Sequence, residues 1–419
     1  MAKLMVNRSV LMVAYHYPPV RVSSGVQRTL KFSQYLPEFN WKPIVLTVNP
    51  SAYELSSPDQ LHEIRSDIVV ARAFALDTAK HLAILRRYPE VLALPDRWVT
   101  WVIGGVLTGL RLIWRYRPSV LWSTYPIATA HLIGLILHRI TGIPWVADFR
   151  DSMTEPDYPR EPRRWRVFRW IEAKTLRHSS RAIFTTPGAV RMYAERYPEF
   201  AEKLAMIPNG YDEENFVRAE ARAKSVAQPG GQRALRLVHS GVIYPSERDP
   251  RDFFAAVGKL KKQSGLTDSD VQIVLRATGH DDYLRGLLQQ YDIEDLVFLK
   301  PPIGYEEALV EMLESDGLLL FQGANCNHQI PAKIYEYLRA NKPILALTDK
   351  GGDTARVLRE AEVEFIAPLD NQVEIAETLP RFLDAVRNGT VPRIRPDIIR
   401  KFERRSGAQQ LAELFEVTV

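Results

Sequence analysis

The chain has 419 residues, 46% of them hydrophobic and 25% charged, which is too long for one ordinary core and suits two soluble domains of about 200 residues each. Its single cysteine, Cys326, excludes an internal disulfide, so a reducing, cytoplasmic setting is expected. Residues 1–200 hold 27 Lys and Arg against 16 Asp and Glu, roughly +11, while the remainder is roughly −6; this asymmetry points to an acidic partner for the first half, either nucleic acid or an anionic membrane surface.

The opening MAKLMVNRSVLMVAYHYPP has no small-residue cleavage site and reads as a first buried strand, VLMVAY (10–15). A helix over Val26 to Leu36 and a strand PIVLTV (43–48) follow. The most hydrophobic stretch, Trp98 to Trp114, is interrupted by Thr100, Thr108 and Arg111 and falls short of the ~20 apolar residues of a membrane span, so it reads as part of a helix over Arg97 to Tyr116. Then come strand 119–124, helix 128–141, strand 144–149, helix 165–179, strand 181–186 and helix 188–196. The polar stretch Ala219 to Arg233, with Gln228-Pro229-Gly230-Gly231, reads as a loop or linker. The pattern restarts with strands 235–241, 271–279, 296–300, 317–322, 343–347 and 363–367. Helices over 252–263, 283–290, 305–313, 332–340, 354–361 and 373–387 alternate with them, and a last amphipathic segment covers 407–415. Strict alternation of strand and helix is the pattern of parallel sheets with helices on both faces, an α/β class with two Rossmann-like domains.

Ligands of such sheets sit beyond the carboxyl ends of the strands, and the loops there hold the candidate residues. Gly25 opens a helix after the first strand; it serves either a plain turn or a close approach of backbone N–H groups to an anion. Asp148, Arg150 and Asp151 crown the strand PWVADFRD (144–151), as ion-paired strand-end residues or as a binding and acid–base group. Gly241 ends the strand in HSGVIYPSERDPRDFF (239–254), and Arg248, seven residues on, can fork onto phosphate oxygens. In HQIPAKIYEYLRANKPILAL (328–347), Lys333 adds positive charge to the first turn of a helix and Glu336 can accept from a vicinal diol. No cysteine pair or histidine cluster suggests a metal site. The segment 159–181 is strongly basic, with Trp165, Phe168 and Ile171 on one helical face; that face belongs either to the core or to an anionic bilayer. No nucleic-acid module is recognisable, which leaves the membrane as the favoured partner of residues 160–181.

Together with YHYPPVRVSSGVQRTLKFSQYL (15–36) and the turn Ile207-Pro208-Asn209-Gly210, these segments, in this order, resemble family 4 of the retaining GT-B glycosyltransferases, the bacterial surface-glycan type, over nearly the whole chain. The resemblance implies two Rossmann-like domains facing across a cleft. One is an acceptor-side domain over 1–206, with 400–419 packing back on it; the other is a nucleotide-sugar domain over 207–399. It implies a retaining, metal-independent transfer from a nucleoside-diphosphate sugar such as a UDP-sugar, with no resident cofactor. The acceptor would be a hydroxyl of a surface polysaccharide or a lipid-linked glycan. It assigns Gly25, Gly241, Arg248, His328, Lys333 and Glu336 to the donor, and Arg150 and Asp151 to the sugar and acceptor. Two departures stand out: Val242 replaces the first of two phosphate-binding cations, and His328 replaces the first of two glutamates. They keep open a non-catalytic nucleotide-sugar-binding subunit, and a GT-B-fold epimerase acting on the nucleotide sugar itself is the other alternative.

Overall fold

A computed structural model describes residues 8–20, 24–82, 88, 93–156, 158–226 and 233–419. The chain divides into two compact units, Met1–Asn209 with Arg404–Val419, and Gly210–Glu403.

The first unit runs β1 (Ser9–Val13), α1 (Ser24–Tyr35), β2 (Lys42–Val48), β3 (Val69–Ala73), α2 (Thr78–His81), α3 (Trp101–Tyr116), β4 (Val120–Thr124), α4 (Ala128–Thr141), β5 (Trp145–Arg150), α5 (Pro162–His178), β6 (Arg181–Phe184), α6 (Pro187–Arg196) and β7 (Leu204–Met206). All pairings are parallel, in the order β3-β2-β1-β4-β5-β6-β7. Right-handed crossovers put α1 on one face and α3 to α6 on the other, because the chain reverses its march across the sheet at β1/β4. Both faces are therefore covered, and β1, β4 and β5 are buried along their full length.

The second unit runs α7 (Glu213–Val226), β8 (Leu235–Ser240), α8 (Pro245–Arg248), α9 (Arg251–Ser264), β9 (Val271–Arg276), α10 (Asp281–Tyr291), β10 (Val297–Lys300), α11 (Tyr305–Glu314), β11 (Gly317–Phe321), α12 (Lys333–Ala340), β12 (Ile344–Leu347), α13 (Asp353–Glu360), β13 (Ile366–Ala367), α14 (Gln372–Arg387) and α15 (Pro396–Arg400). Its sheet is parallel too, ordered β10-β9-β8-β11-β12-β13, and reverses at β8/β11. Helix α7 corrects the reading of 219–233 as a linker. Asp212 accepts from the Asn215 N–H at its start, and Phe216 and Ala219 are buried in the core that α11 also lines. The part of that stretch over 227–232 lies outside the described residues. Strand β3 went unread because four of its five residues are only half-buried, so it lacks an apolar run.

The chain ends with α16 (Arg404–Glu416), which lies along α1 in the first unit. Its Ala408, Leu411, Ala412 and Phe415 join Phe32, Tyr35, Trp41 and Trp122 in one buried cluster, with the Phe415 and Trp41 rings edge to face at 5.1 Å. This cluster joins α16 to α1 and to the sheet, so its loss falls on the packing of the chain's last helix. Phe415→Ala should cost about 3–5 kcal/mol, read as a lower urea midpoint for the first unit. An unchanged midpoint would mean that α16 contributes no stability there.

Candidate functional site

The candidate residues gather at the two places where the sheets reverse, where adjacent loops diverge and leave a crevice. In the first unit the crevice is lined by the loops after β1, β4 and β5. Arg28, one turn into α1, sends Nε and Nη2 to the two oxygens of Asp148 at 2.8 and 2.9 Å, and Nη1 to the Pro208 carbonyl at 3.1 Å. Thr124 Oγ1 donates to the same carboxylate at 3.0 Å. Asp148 is thereby fully used, as a buried ion pair, and Gly25 is buried in the first turn of the helix that carries its partner. Beyond Asp148 the register shifts by one residue, and Arg150 takes a left-handed backbone with φ 61°. Its carbonyl is held by both the N–H and the hydroxyl of Thr185. The Arg150 guanidinium is buried, with Nη1 3.4 Å from the Tyr125 carbonyl and Nε without a partner among the described residues. Asp151 is exposed at the rim. Burial lowers the Arg150 pKa, while Asp151 and Asp148 act the other way.

His16, half-buried in the loop after β1, is a member of this crevice that the sequence did not single out. Burial first, and the Arg150 charge second, push its pKa down to about 4. The imidazole is neutral at neutral pH and can accept or donate without adding charge.

In the second unit Gly241 follows β8 with φ 116°, and a Cβ there would lie 3.0 Å from Lys333 Nζ. Only glycine gives both that backbone and that approach. Lys333 opens α12 and reaches back to His239 Nε2 at 3.0 Å. His239 Nδ1 faces the Leu319 carbonyl at 2.9 Å, so Nδ1 carries the proton and Nε2 accepts from Lys333. Burial, and then Lys333, hold His239 well below the usual histidine range; burial, and then Arg248, hold Lys333 well below the usual lysine range, with Glu336 opposing. Arg248 is anchored through Nη1 on the Val242 carbonyl at 3.0 Å and lies over the Tyr244 ring. Glu336 Oε1 accepts from the Tyr305 hydroxyl at 2.8 Å. Gly241, Arg248, Lys333 and Glu336 thus come together, two cations to one carboxylate. His328 lies half-buried in the loop that leads into α12.

Beside this cluster, a cavity of about 490 Å³ opens at the ends of β9 and β10, between Ala277–Tyr283 and Lys300–Pro302. Val242 forms the join, since its side chain lies against Gly279. Among the described residues, no group of three or more His, Cys, Asp or Glu is placed to hold a metal ion.

The crevice of the first unit has a pH signature. A free histidine titrates near 6.5 and folded His16 near 4, so between those values the unfolded chain binds a proton that the folded chain refuses. Stability should fall as pH falls through that window, and His16→Gln should remove its share of the loss. Urea unfolding near neutral pH and near the lower end of that window compares the two proteins; equal losses would mean that His16 is not held neutral.

Residues 26–210 match the family described as Glycosyl transferase 4-like domain. The D-inositol 3-phosphate glycosyltransferase of Kineococcus radiotolerans is 25% identical over 186 residues, a match that spans 40% of this chain and 42% of that relative. Among solved structures, sucrose-phosphate synthase of Thermosynechococcus elongatus has a TM-score of 0.66 at 15% identity, with 98% of each chain covered. Anabaena HepE in complex with UDP has a TM-score of 0.65 at 14% identity, with 98% of this chain and all of that chain (100%) covered. WaaG, a glycosyltransferase involved in lipopolysaccharide biosynthesis, has a TM-score of 0.62 at 10% identity, with 97% and 99% covered. The chain has the GT-B fold of two Rossmann-like domains, and through residues 26–210 it resembles the family 4 glycosyltransferases.

Proposed function

We propose that the protein is a glycosyltransferase that moves a sugar from a nucleoside-diphosphate sugar, a UDP-sugar in the first instance, to an acceptor hydroxyl. The observation that carries this reading is the pair of cations, Arg248 and Lys333, beside the Glu336 carboxylate where the second sheet reverses. Arg248 offers a fork and Lys333 a point charge to a diphosphate, and both oppose the charge that develops on it as the sugar leaves. Tyr305 holds the Glu336 carboxylate through Oε1, and a carboxylate placed there can accept from a ribose diol. The cavity at β9 and β10 is the place for the base. Arg150 and Asp151 serve the sugar and acceptor. HepE complexes with UDP and with UDP-glucose support the choice of donor. The family resemblance supports retention and metal independence.

Burial, and then Arg248, hold the Lys333 pKa well below the usual lysine range, and a bound diphosphate opposes that shift. UDP binding should therefore take up protons, seen by calorimetry in buffers of different ionisation enthalpy. Lys333→Ala should abolish the uptake and weaken UDP by at least about tenfold. Transfer from UDP-glucose should persist in excess EDTA and require an acceptor, whereas an epimerase would turn over donor alone. Unchanged UDP affinity in a folded Lys333→Ala protein would sink this reading.

The acceptor we favour is a surface polysaccharide or lipid-linked glycan, reached by reversible membrane association. The face of α5 named in the sequence is not available for this: Phe168 and Ile171 are buried, and Trp165 donates from Nε1 to the Glu155 carbonyl. The outward side of α5 carries Arg163, Arg166, Trp170 and Arg177 instead, and Trp170 borders a cleft of about 420 Å³ with Leu94, Arg163, Arg166 and Val167. On the same helical layer α3 exposes Ile103, Leu107 and Trp114, the last 83% exposed, with Arg111 and Arg115 beside them. No helix among the described residues is long and apolar enough to cross a membrane. Arginines beside exposed tryptophans suit an anionic interface, at about 1 kcal/mol per cation. The protein should co-sediment with liposomes that contain anionic lipid and be released by salt, and W114A with R163E and R166E should abolish binding. A wild type that ignores anionic liposomes at low salt would move the acceptor into solution.

A further inference from the structure

The crevice of the first unit holds more buried positive charge than the chain neutralises. Arg28, Arg150 and Arg404 are 2%, 6% and 7% exposed, and Arg150 senses the charges of the other two. Among the described residues, the buried carboxylate that acts on Arg150 is Asp148, which Arg28 occupies through both of its oxygens. Asp151, the other carboxylate acting on Arg150, is exposed to water. His16 is neutral and offsets nothing. Among the described residues, neither the buried Nε of Arg150 nor that of Arg404 has a hydrogen-bond partner. A buried guanidinium N–H without an acceptor costs free energy, and a buried charge without a counter-charge costs more. Two such groups at the carboxyl edge, where the sheet reverses, are far better explained by a ligand than by the fold.

We propose that Arg150 and Arg404 form a binding site for an anionic group of a substrate, a phosphate or a carboxylate, with His16 as a neutral hydrogen-bonding neighbour. The site deepens the transferase reading, on which the identity of the carrier rests. A phosphate would belong to a phosphorylated acceptor, and a carboxylate to a uronic acid on either substrate. The anion would accept from the two orphaned Nε–H groups and supply the missing counter-charge.

The test uses the full chain with the cations of the second unit removed, Arg248→Ala with Lys333→Ala, so that phosphate bound there does not mask the site. Inorganic phosphate, glucuronate and neutral glucose are titrated in, with calorimetry and thermal shift as readouts. Phosphate or glucuronate should bind saturably and glucose should not. Added Arg150→Gln, and separately Arg404→Gln, should each weaken the anion by about tenfold or more. Binding of phosphate alone assigns the site to a phosphorylated substrate, and binding of glucuronate alone assigns it to a uronic acid. Should Arg150→Gln fail to melt cooperatively, Arg404→Gln and Arg150→Lys carry the comparison. Failure of both anions to bind the folded protein, or binding that both arginine variants leave unchanged, overturns the proposal. UDP affinity of the wild type is measured alongside: its absence would sink the transferase reading and leave the anion site standing.

Discussion

Three separated parts of the first domain meet at the carboxylate of Asp148: helix α1 through Arg28, the end of β4 through Thr124, and the chain at Pro208 through the third nitrogen of the same guanidinium. A pair this deeply buried gains little net stability over apolar packing, but either partner alone would be a stranded charge. Its effect is to fix position. Alternation along β5 puts Val146 and Asp148 on the α1 face and Ala147 and Phe149 on the other. Continued without a break, it would bring Arg150 back to the α1 face, against Arg28. The register shift after Asp148 prevents this, and the left-handed turn at Arg150, clamped by Thr185, aims a third arginine along the crevice. The cost of the strained backbone, about 1–3 kcal/mol, is tolerable because its neighbours over-determine it.

The second domain reaches a similar end by other means. There the carrier of charge is a lysine, and what holds it is not a carboxylate but the bare nitrogen of a neutral histidine. A carboxylate in the place of His239 would neutralise Lys333 permanently and leave nothing for a ligand. A histidine keeps the ammonium positioned yet electrically unspent. Arg248 then raises the cost of the charged state, and an arriving anion removes that cost. The cation that the family resemblance places at Val242 is thus missing from the loop, while Lys333 reaches Gly241 from α12 across the space a side chain would have filled.

How far the sequence discloses this differs between fold and site. The parallel architecture is legible because strands buried on both faces are continuous apolar runs, as in Val120–Thr124 and Gly317–Phe321. Elements without such a run escape: β3 at the sheet edge, and α7, whose anchor is Phe216 with Ala219 amid charged residues. Arg248, Lys333 and Glu336 are legible because their segment carries a recognisable spacing. His239 is not, since a histidine inside an apolar strand reads as an ordinary core residue. Arg28 and Asp148 lie 120 positions apart, and Arg404 sits in the terminal helix. No local pattern brings those three together; only the return of α16 and the crossing of α1 do so.

The charge asymmetry between the halves takes a different meaning once the residues are placed. An excess of roughly +11 over 1–200 suggests a diffuse attraction to some acidic partner. Part of it is instead buried at one edge, in Arg28 and Arg150, where water and salt cannot screen it and where it acts over a few ångströms. Another part stands on the outer faces of α3 and α5, where screening leaves it only a surface role. His178, at the end of α5, registers the exposed charge of this side: after burial, Arg139 and then Arg177 and Lys174 are among the groups that hold its pKa down. Buried charge selects a ligand by geometry, while exposed charge gathers a surface without selecting one. One sum of charges therefore covers two different populations, and burial rather than net charge tells them apart.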